Sequence, residues 1–239
     1  MTVENLYVEP ERPEQALAWP ALQFNDVFKI FRSGPVETVA LRGLDFRIER
    51  GELVAVLGPS GCGKSTMLAL AAALDRPSAG EVRGGERSLG LLDEAALSAY
   101  RAREIAIVLQ QRNLFPALTA RENVLVSLRL AGRANPPDAA DEALATFGVA
   151  NRISQRAGAL SGGEQQRVSI AAAAARRAPL VLADEPTGEL DAGNERLVLD
   201  ALGELRDSFG STVVAVTHSQ RVARAADRVI EMRDGRAVS

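Results

Sequence analysis

The sequence predicts an α/β domain built on a mostly parallel sheet, with a small antiparallel β subdomain before it and an α-helical subdomain inserted within it. Three observations lead there. Short apolar runs at Leu53–Leu57, Ile105–Leu109, Leu180–Ala183 and Thr212–Thr217 alternate with segments of helical period. Polar groups stand where those runs end, at Gln110, at Asp184 with Glu185, and at His218. Open parallel sheets bind their ligands at that end of the strands. The third observation is Gly58-Pro59-Ser60-Gly61-Cys62-Gly63-Lys64-Ser65-Thr66, which follows the first run and fits G-x-x-x-x-G-K-[ST].

Phosphate chemistry accounts for each residue type in that stretch. Glycines let the backbone turn so tightly that successive N–H groups point into one concavity. The helix expected from Lys64 onward adds the positive end of its dipole. Lys64 supplies a compact charge for terminal phosphates, and the Ser65 hydroxyl is placed to ligate Mg²⁺. The chain has two lysines, Lys29 and Lys64, so arginine is its usual cation except where a slim ammonium must fit among phosphates.

Composition narrows the remaining classes. A chain of 239 residues, 46% hydrophobic and 25% charged, is large enough for one α/β domain with a smaller subdomain. A net charge of -3 argues against a generic nucleic-acid binder. The single cysteine, Cys62, has no internal partner and fits a reducing compartment. No stretch approaches the roughly 18 apolar residues of a membrane span, and the acidic, proline-bearing N-terminus does not resemble a signal peptide, so a protein soluble by itself is expected.

Taken in order, residues 1–21 read as a flexible leader carrying Trp19, and 22–239 as the domain. Leu22 to Ile48 reads as short antiparallel strands with a turn at Ser33-Gly34-Pro35. A helix is expected over about Lys64–Leu74, a break at Pro77-Ser78-Ala79-Gly80, and a helix over Asp93–Arg103. The inserted helical subdomain runs over about 112–160, interrupted at Asn135-Pro136-Pro137.

Leu160-Ser161-Gly162-Gly163-Glu164-Gln165-Gln166-Arg167 forms the second constellation. Ser161 and Glu164 make an S-x-x-E capping box, so a helix starts there and runs through the alanine segment Ala171–Ala175. Capping alone does not need Gly162-Gly163, whereas two glycines at a helix N-terminus leave N–H groups open to an anion. A plain capped helix is the other reading. Asp184 fits a metal-holding aspartate and Glu185 a general base, against the alternative of a strand-ending acidic turn. His218, the one histidine, reads as a γ-phosphate contact or as a structural residue.

In this order the motifs resemble the ATPase subunit of ABC transporters: P-loop (Gly58–Thr66), Q-loop (Gln110), signature (Leu160–Arg167), Walker B (Leu180–Glu185), D-loop (Leu190-Asp191) and switch histidine (His218). The resemblance spans Leu22 to Val238 and implies a P-loop NTPase core that binds ATP with Mg²⁺. It also implies that Phe31 stacks on adenine, a core phenylalanine being the alternative, and that Gln110, beside Gln111, approaches Mg²⁺ and the attacking water. Ser161, Gly162, Gly163 and Glu164 would meet the nucleotide of a second copy in an ATP-dependent homodimer, and Asp191 would cross its interface. Val181 to Asp191, and Asn113 to Thr119 followed by Glu122-Asn123-Val124, look like the lipoprotein-release, macrolide-export and cell-division branch, which usually has Asn where Glu189 stands.

The implied partner is an integral membrane transporter subunit, met near Leu114 and Phe115 at the cytoplasmic face of the membrane. Alternatives are a soluble ABC-type ATPase of iron–sulfur assembly and a weak ATP sensor. A DNA-repair ATPase is disfavoured, because the gap from Thr66 to Leu160 is too short for its coiled coils.

Overall fold

The computed structural model describes residues 19–34, 36–110, 113–132 and 138–238. Residues 1–18 of the leader expected over 1–21, Pro35, Gln111 and the break at Asn135-Pro136-Pro137 lie outside them.

In place of several short strands, Leu22 to Ile48 forms one long hairpin, β1 (Leu22–Ser33) and β2 (Val36–Ile48). Alternation puts Leu22 and Phe24 on the inner face. A register shift between Phe24 and Val27, where Asp26 has φ 47°, restores Val27 to that face. Then follow β3 (Leu53–Leu57), α1 (Lys64–Ala71), β4 (Ala79–Gly84), β5 (Arg87–Ser88), α2 (Glu94–Glu104) and β6 (Ile105–Val108). β4 corrects the break expected at Pro77–Gly80. A glycine-flanked stretch with one buried side chain, Val82, has no strand signal of its own, and pairing with β1 makes it one. The antiparallel sheet has the order β2-β1-β4-β5.

The helical segment comprises α3 (Ala120–Leu130) and α4 (Ala139–Thr146). Thr119 and Glu122 start α3 with a full capping box. α5 (Gly162–Ala175), β7 (Leu180–Asp184), α6 (Ala192–Asp207), β8 (Thr212–Thr217), α7 (Gln220–Ala225), β9 (Arg228–Arg233) and β10 (Arg236–Val238) complete the chain. The second sheet has the order β10-β9-β3-β8-β7-β6, parallel except for β10. β9 and β10 escape a search for apolar runs because β9 is half exposed, with only Ile230 and Met232 turned inward.

Both faces of the parallel sheet are buried, so its strands read as continuous apolar runs. On β3, β7 and β8 alternate residues enter two different cores. Leu53, Ala55, Val181, Ala183, Val213 and Ala215 pack under α3–α6. Val54, Val56, Leu180, Leu182, Val214 and Val216 pack with Phe24, Leu41, Met67 and Leu97 from the antiparallel sheet, α1 and α2. The alanine run lies in the first core, with Ala171–Ala174 buried where α5 meets its neighbours.

Trp19–Ala21 are fixed to this frame. Ala21 N donates to Ile48 O at 2.9 Å, and the Arg83 guanidinium stands 4.4 Å from the Trp19 ring centroid.

Gly80 is where β4 meets the β1 bulge. Its φ is +81°, and a Cβ there would run into the Asp26 carbonyl and stand 2.7 Å from Asn25 O. Gly80→Ala should therefore cost about 2 kcal/mol or more, read as a lower urea midpoint at unchanged m-value.

Candidate active site

The loop between β3 and α1 is shaped by two left-handed glycines, Gly61 at φ +79° and Gly63 at φ +105°. Gly63 is required twice over, since a Cβ would stand 2.7 Å from Ala40 O and 2.8 Å from Leu41 Cδ2. The loop is braced from outside by Gly235 N, which donates to Cys62 O at 3.0 Å. Cys62 is buried, with Sγ packed over Gly58, so it serves as a small inward-facing residue. Lys64 is only 9% exposed, and its Nζ donates to Gly58 O (2.6 Å) and Pro59 O (3.0 Å). The ammonium thus sits over the loop mouth. Ser60 and Ser65 are exposed, and Thr66 is half-buried.

Ser65 and Asp184 line one cavity of about 270 Å³. Burial, and then the neighbouring Glu185 charge, push the Asp184 carboxyl above its usual range, with Lys64 opposing. A carboxylate held where negative charge is disfavoured, beside a hydroxyl, is a fitting hard-oxygen donor set for a divalent cation. Among the described residues no group of three or more His, Cys, Asp or Glu side chains is placed to hold a metal unaided.

Sheet register brings Glu185 and His218 together. β7 pairs Asp184 with Val216 of β8, and Glu185 N donates to Val216 O at 2.9 Å. The next residues therefore meet: Thr217 Oγ1 donates to Glu185 Oε2 (3.1 Å), His218 N donates to the same oxygen (3.3 Å), and His218 Nδ1 lies 2.9 Å from Glu185 Oε1. Glu185 has φ 45°, a left-handed conformation costing a non-glycine residue about 1–3 kcal/mol. The Glu185 side chain is 18% exposed and that of His218 71%, so the carboxylate is sheltered and the ring stands outside it. Thr217, fully buried, was not singled out in the sequence, because a threonine ending an apolar run looks like strand.

Gln110 follows β6 at the sheet edge. It lines a separate cleft of about 650 Å³ with Gly162, Gly188, Glu189 and Leu190. A Cβ on Gly188 would stand 3.0 Å from Gln110 Nε2, which puts the amide beside the segment after β7. Two amides that lie in motifs named from the sequence, but were given no role of their own there, pin this loop. Gln166 Nε2 donates to Leu109 O (2.8 Å) and Gln110 O (3.1 Å), and Asn113 Nδ2 donates to Gln166 Oε1 (2.8 Å).

The Ser161 capping box forms in full. Glu164 N donates to Ser161 Oγ (3.3 Å) and Ser161 N to Glu164 Oε2 (2.8 Å). Gly163 also answers a packing need invisible in the sequence, since a Cβ would stand 2.7 Å from Asn194 Cγ at the start of α6. Asp191 caps α6, accepting from Asn194 N (3.0 Å), Asn194 Nδ2 (2.6 Å) and Gly193 N (2.9 Å), bonds that hold its carboxyl below the usual range. Among the described residues, the two cavities that border Gly58–Pro59 and Ser65 are not lined by Ser161, Gly162 or Gly163. Phe31 is 43% exposed, with Lys29 Nζ 5.0 Å from its ring centroid, so it is not a core residue.

Against known proteins, the family model described as ABC transporter matches residues 41–188. The chain belongs to that family. It is an ATP-hydrolysing cassette built on the parallel-sheet core and N-terminal antiparallel sheet described above. The chain is 42% identical to the lipoprotein-releasing system ATP-binding protein LolD of Anaeromyxobacter dehalogenans, across 94% of this chain and 95% of the relative. It is 41% identical to the macrolide export ATP-binding/permease protein MacB of Hyphomonas neptunium, across 92% of this chain but 34% of that longer protein. The dimeric post-hydrolysis structure of the ATP-binding cassette MJ0796 with ADP and Pi superposes with a TM-score of 0.83 at 37% identity, covering 91% of this chain and 97% of that one. These likenesses favour a transporter subunit over the iron–sulfur assembly alternative.

Glu164 offers a test of the capped start of α5. Arg152, whose Nε lies 2.7 Å from Glu164 Oε1, and the Ser161 N–H hold this carboxyl below its ordinary 4.5. A depressed folded pKa contributes stability that is full above the unfolded value and fades as pH falls through the folded one. Glu164→Gln should therefore be less stable than the parent at pH 7, and the gap should close only as pH drops below 4.5, read by thermal melts across pH.

Proposed function

We propose that two copies of this chain close head to tail around two ATP molecules with Mg²⁺, and that this cycle drives a membrane transporter subunit. The observation that carries the reading is that two glycine turns suited to an anion border different cavities within one chain. One, Gly58–Thr66, stands with Asp184 near it; the other, Ser161–Gly163, lines neither of the two cavities that border Gly58–Pro59 and Ser65. A second copy supplies the missing half of each site; the structure of one family relative is dimeric.

In this reading Lys64 and the N–H groups of Gly61, Cys62 and Gly63 hold the β- and γ-phosphates. Ser65 and Asp184 hold Mg²⁺, with Gln110 moving in from beside Gly188. A bound Mg²⁺ neutralises charge on the phosphoryl oxygens. Glu185 takes the proton of the attacking water, oriented by Thr217 and His218, while His218 reaches toward the γ-phosphate. Phe31 offers its exposed ring to adenine. From the other copy Ser161, Gly162, Gly163 and Glu164 close over the phosphates, and Asp191 borders the seam. Hydrolysis and phosphate release loosen the dimer, because ATP is the ligand that favours the closed state.

Docking on the membrane subunit falls to Leu114 and Phe115. Phe115 is 58% exposed, and Asn123 holds it outward by accepting from Phe115 N (2.7 Å) and donating to Phe115 O (3.2 Å). It borders a groove of about 170 Å³ with Ile107 and Leu130, themselves exposed apolar residues. Among the described residues no helix is long and apolar enough to cross a membrane, so a cytoplasmic-face position is proposed through that partner.

Steady-state hydrolysis and sizing test the proposal. Glu185→Gln should lower turnover on the order of a hundredfold or more and leave ATP-bound dimers that persist on gel filtration. Near-normal hydrolysis would refute the base assignment. Lys64→Ala should lose tight binding of ATP with Mg²⁺ in calorimetry, and an unchanged affinity would remove the phosphate role.

A further inference from the structure

Glu195 lies in the first turn of α6, where an acid ordinarily faces water and favours the helix dipole by a few tenths of a kcal/mol. This one is 8% exposed. A carboxylate so withdrawn from water is tolerated only when its oxygens are bonded. Both are: Ser219 Oγ donates to Oε1 at 3.0 Å and Arg221 Nη1 to Oε2 at 2.5 Å. The two donors lie one and three residues beyond His218.

The same short segment is held at its other end by Glu185. Ser219 N donates to Thr217 Oγ1 at 2.9 Å, and Thr217 Oγ1 donates in turn to Glu185 Oε2. On the α6 side Glu195 N donates to Asp191 O at 2.8 Å, and Asp191 caps that helix. One unbroken series of hydrogen bonds therefore runs from Asp191 through Glu195, Ser219 and Thr217 to Glu185. His218 lies inside the bracket that the two acids make.

We infer that Glu195 is a positioning residue for hydrolysis. Its carboxylate fixes Ser219 and the start of α7, so that His218 presents its ring to Glu185 in a single arrangement. It also transmits the placement of Asp191 at the proposed seam to that pair within the same chain. Glu195 itself touches no phosphate. The inference rests on the roles proposed above for Glu185 and His218.

The test is ATP turnover of Glu195→Ala and Glu195→Gln, each made in the parent and in His218→Ala. Glu195→Ala should lower kcat about tenfold with KM for ATP changed less than about twofold, the pattern of a misplaced catalytic group. Glu195→Gln keeps an acceptor for Ser219 and should recover most of that loss. In the His218→Ala background Glu195→Ala should cost less than about twofold more, because no ring is left to place. If Glu195→Ala does not fold, Arg221→Ala is read in the same two backgrounds. Unchanged kcat, or a loss that multiplies in full with His218→Ala, overturns the inference alone. A His218→Ala chain with full turnover overturns the reading of the site and this inference with it.

Discussion

The structure depends on the pairing of β7 with β8 beside β3 in a sheet buried on both faces. With cores above and below, the strands carry apolar side chains along their whole length, and polar chemistry is confined to their ends. The in-register pairing of Asp184 with Val216 then sets the residues that follow each strand side by side. The Glu185–Thr217–His218 cluster is a consequence of that register. A slip of one residue would turn every core side chain to the wrong face, so the geometry of this cluster inherits the rigidity of the core.

The same frame explains the strain at Glu185. Its N–H continues the ladder to Val216 while its side chain turns back to Thr217 and His218, and the residue does both at a φ of 45°. Burial of Thr217 and the fixed ends of the two strands hold this arrangement. Lys64 and Asp184 show the electrostatic side of the arrangement. The ammonium is sheltered over loop carbonyls, and the carboxyl sits where its charge is disfavoured. A buried ammonium and a half-buried carboxyl thus stand with opposite sign beside the glycine turn, the combination that the proposed binding of a charged ligand with its counter-ion would use.

The helical segment bears on the site through α5. Its first turn is capped by Ser161 and Glu164, anchored by Arg152, and pressed on α6 at Gly163 and Asn194. Further along the same helix, Gln166 grips the loop holding Gln110. One helix, α5, therefore carries both the capped turn at Ser161 and the amide that holds the Gln110 loop.

Much of this was legible beforehand because it depends on local chemistry. The glycine turn at 58–63, the Ser161–Glu164 box and the acids ending β7 are dictated by backbone geometry, capping and desolvation, all of which act over a few neighbouring residues. Four strands of the buried sheet also declared themselves, since burial on both faces leaves an apolar run. Only the tertiary structure decided which strand ends meet. It made β4 a strand by pairing it with β1, placed half-exposed β9 next to β3, and set Thr217 against Glu185. It also gave Gln166, Asn113 and Glu195 partners from 24 to 57 residues away. A single amide or carboxylate carries no local signature of its partner, because such contacts are set by packing between elements remote in the chain.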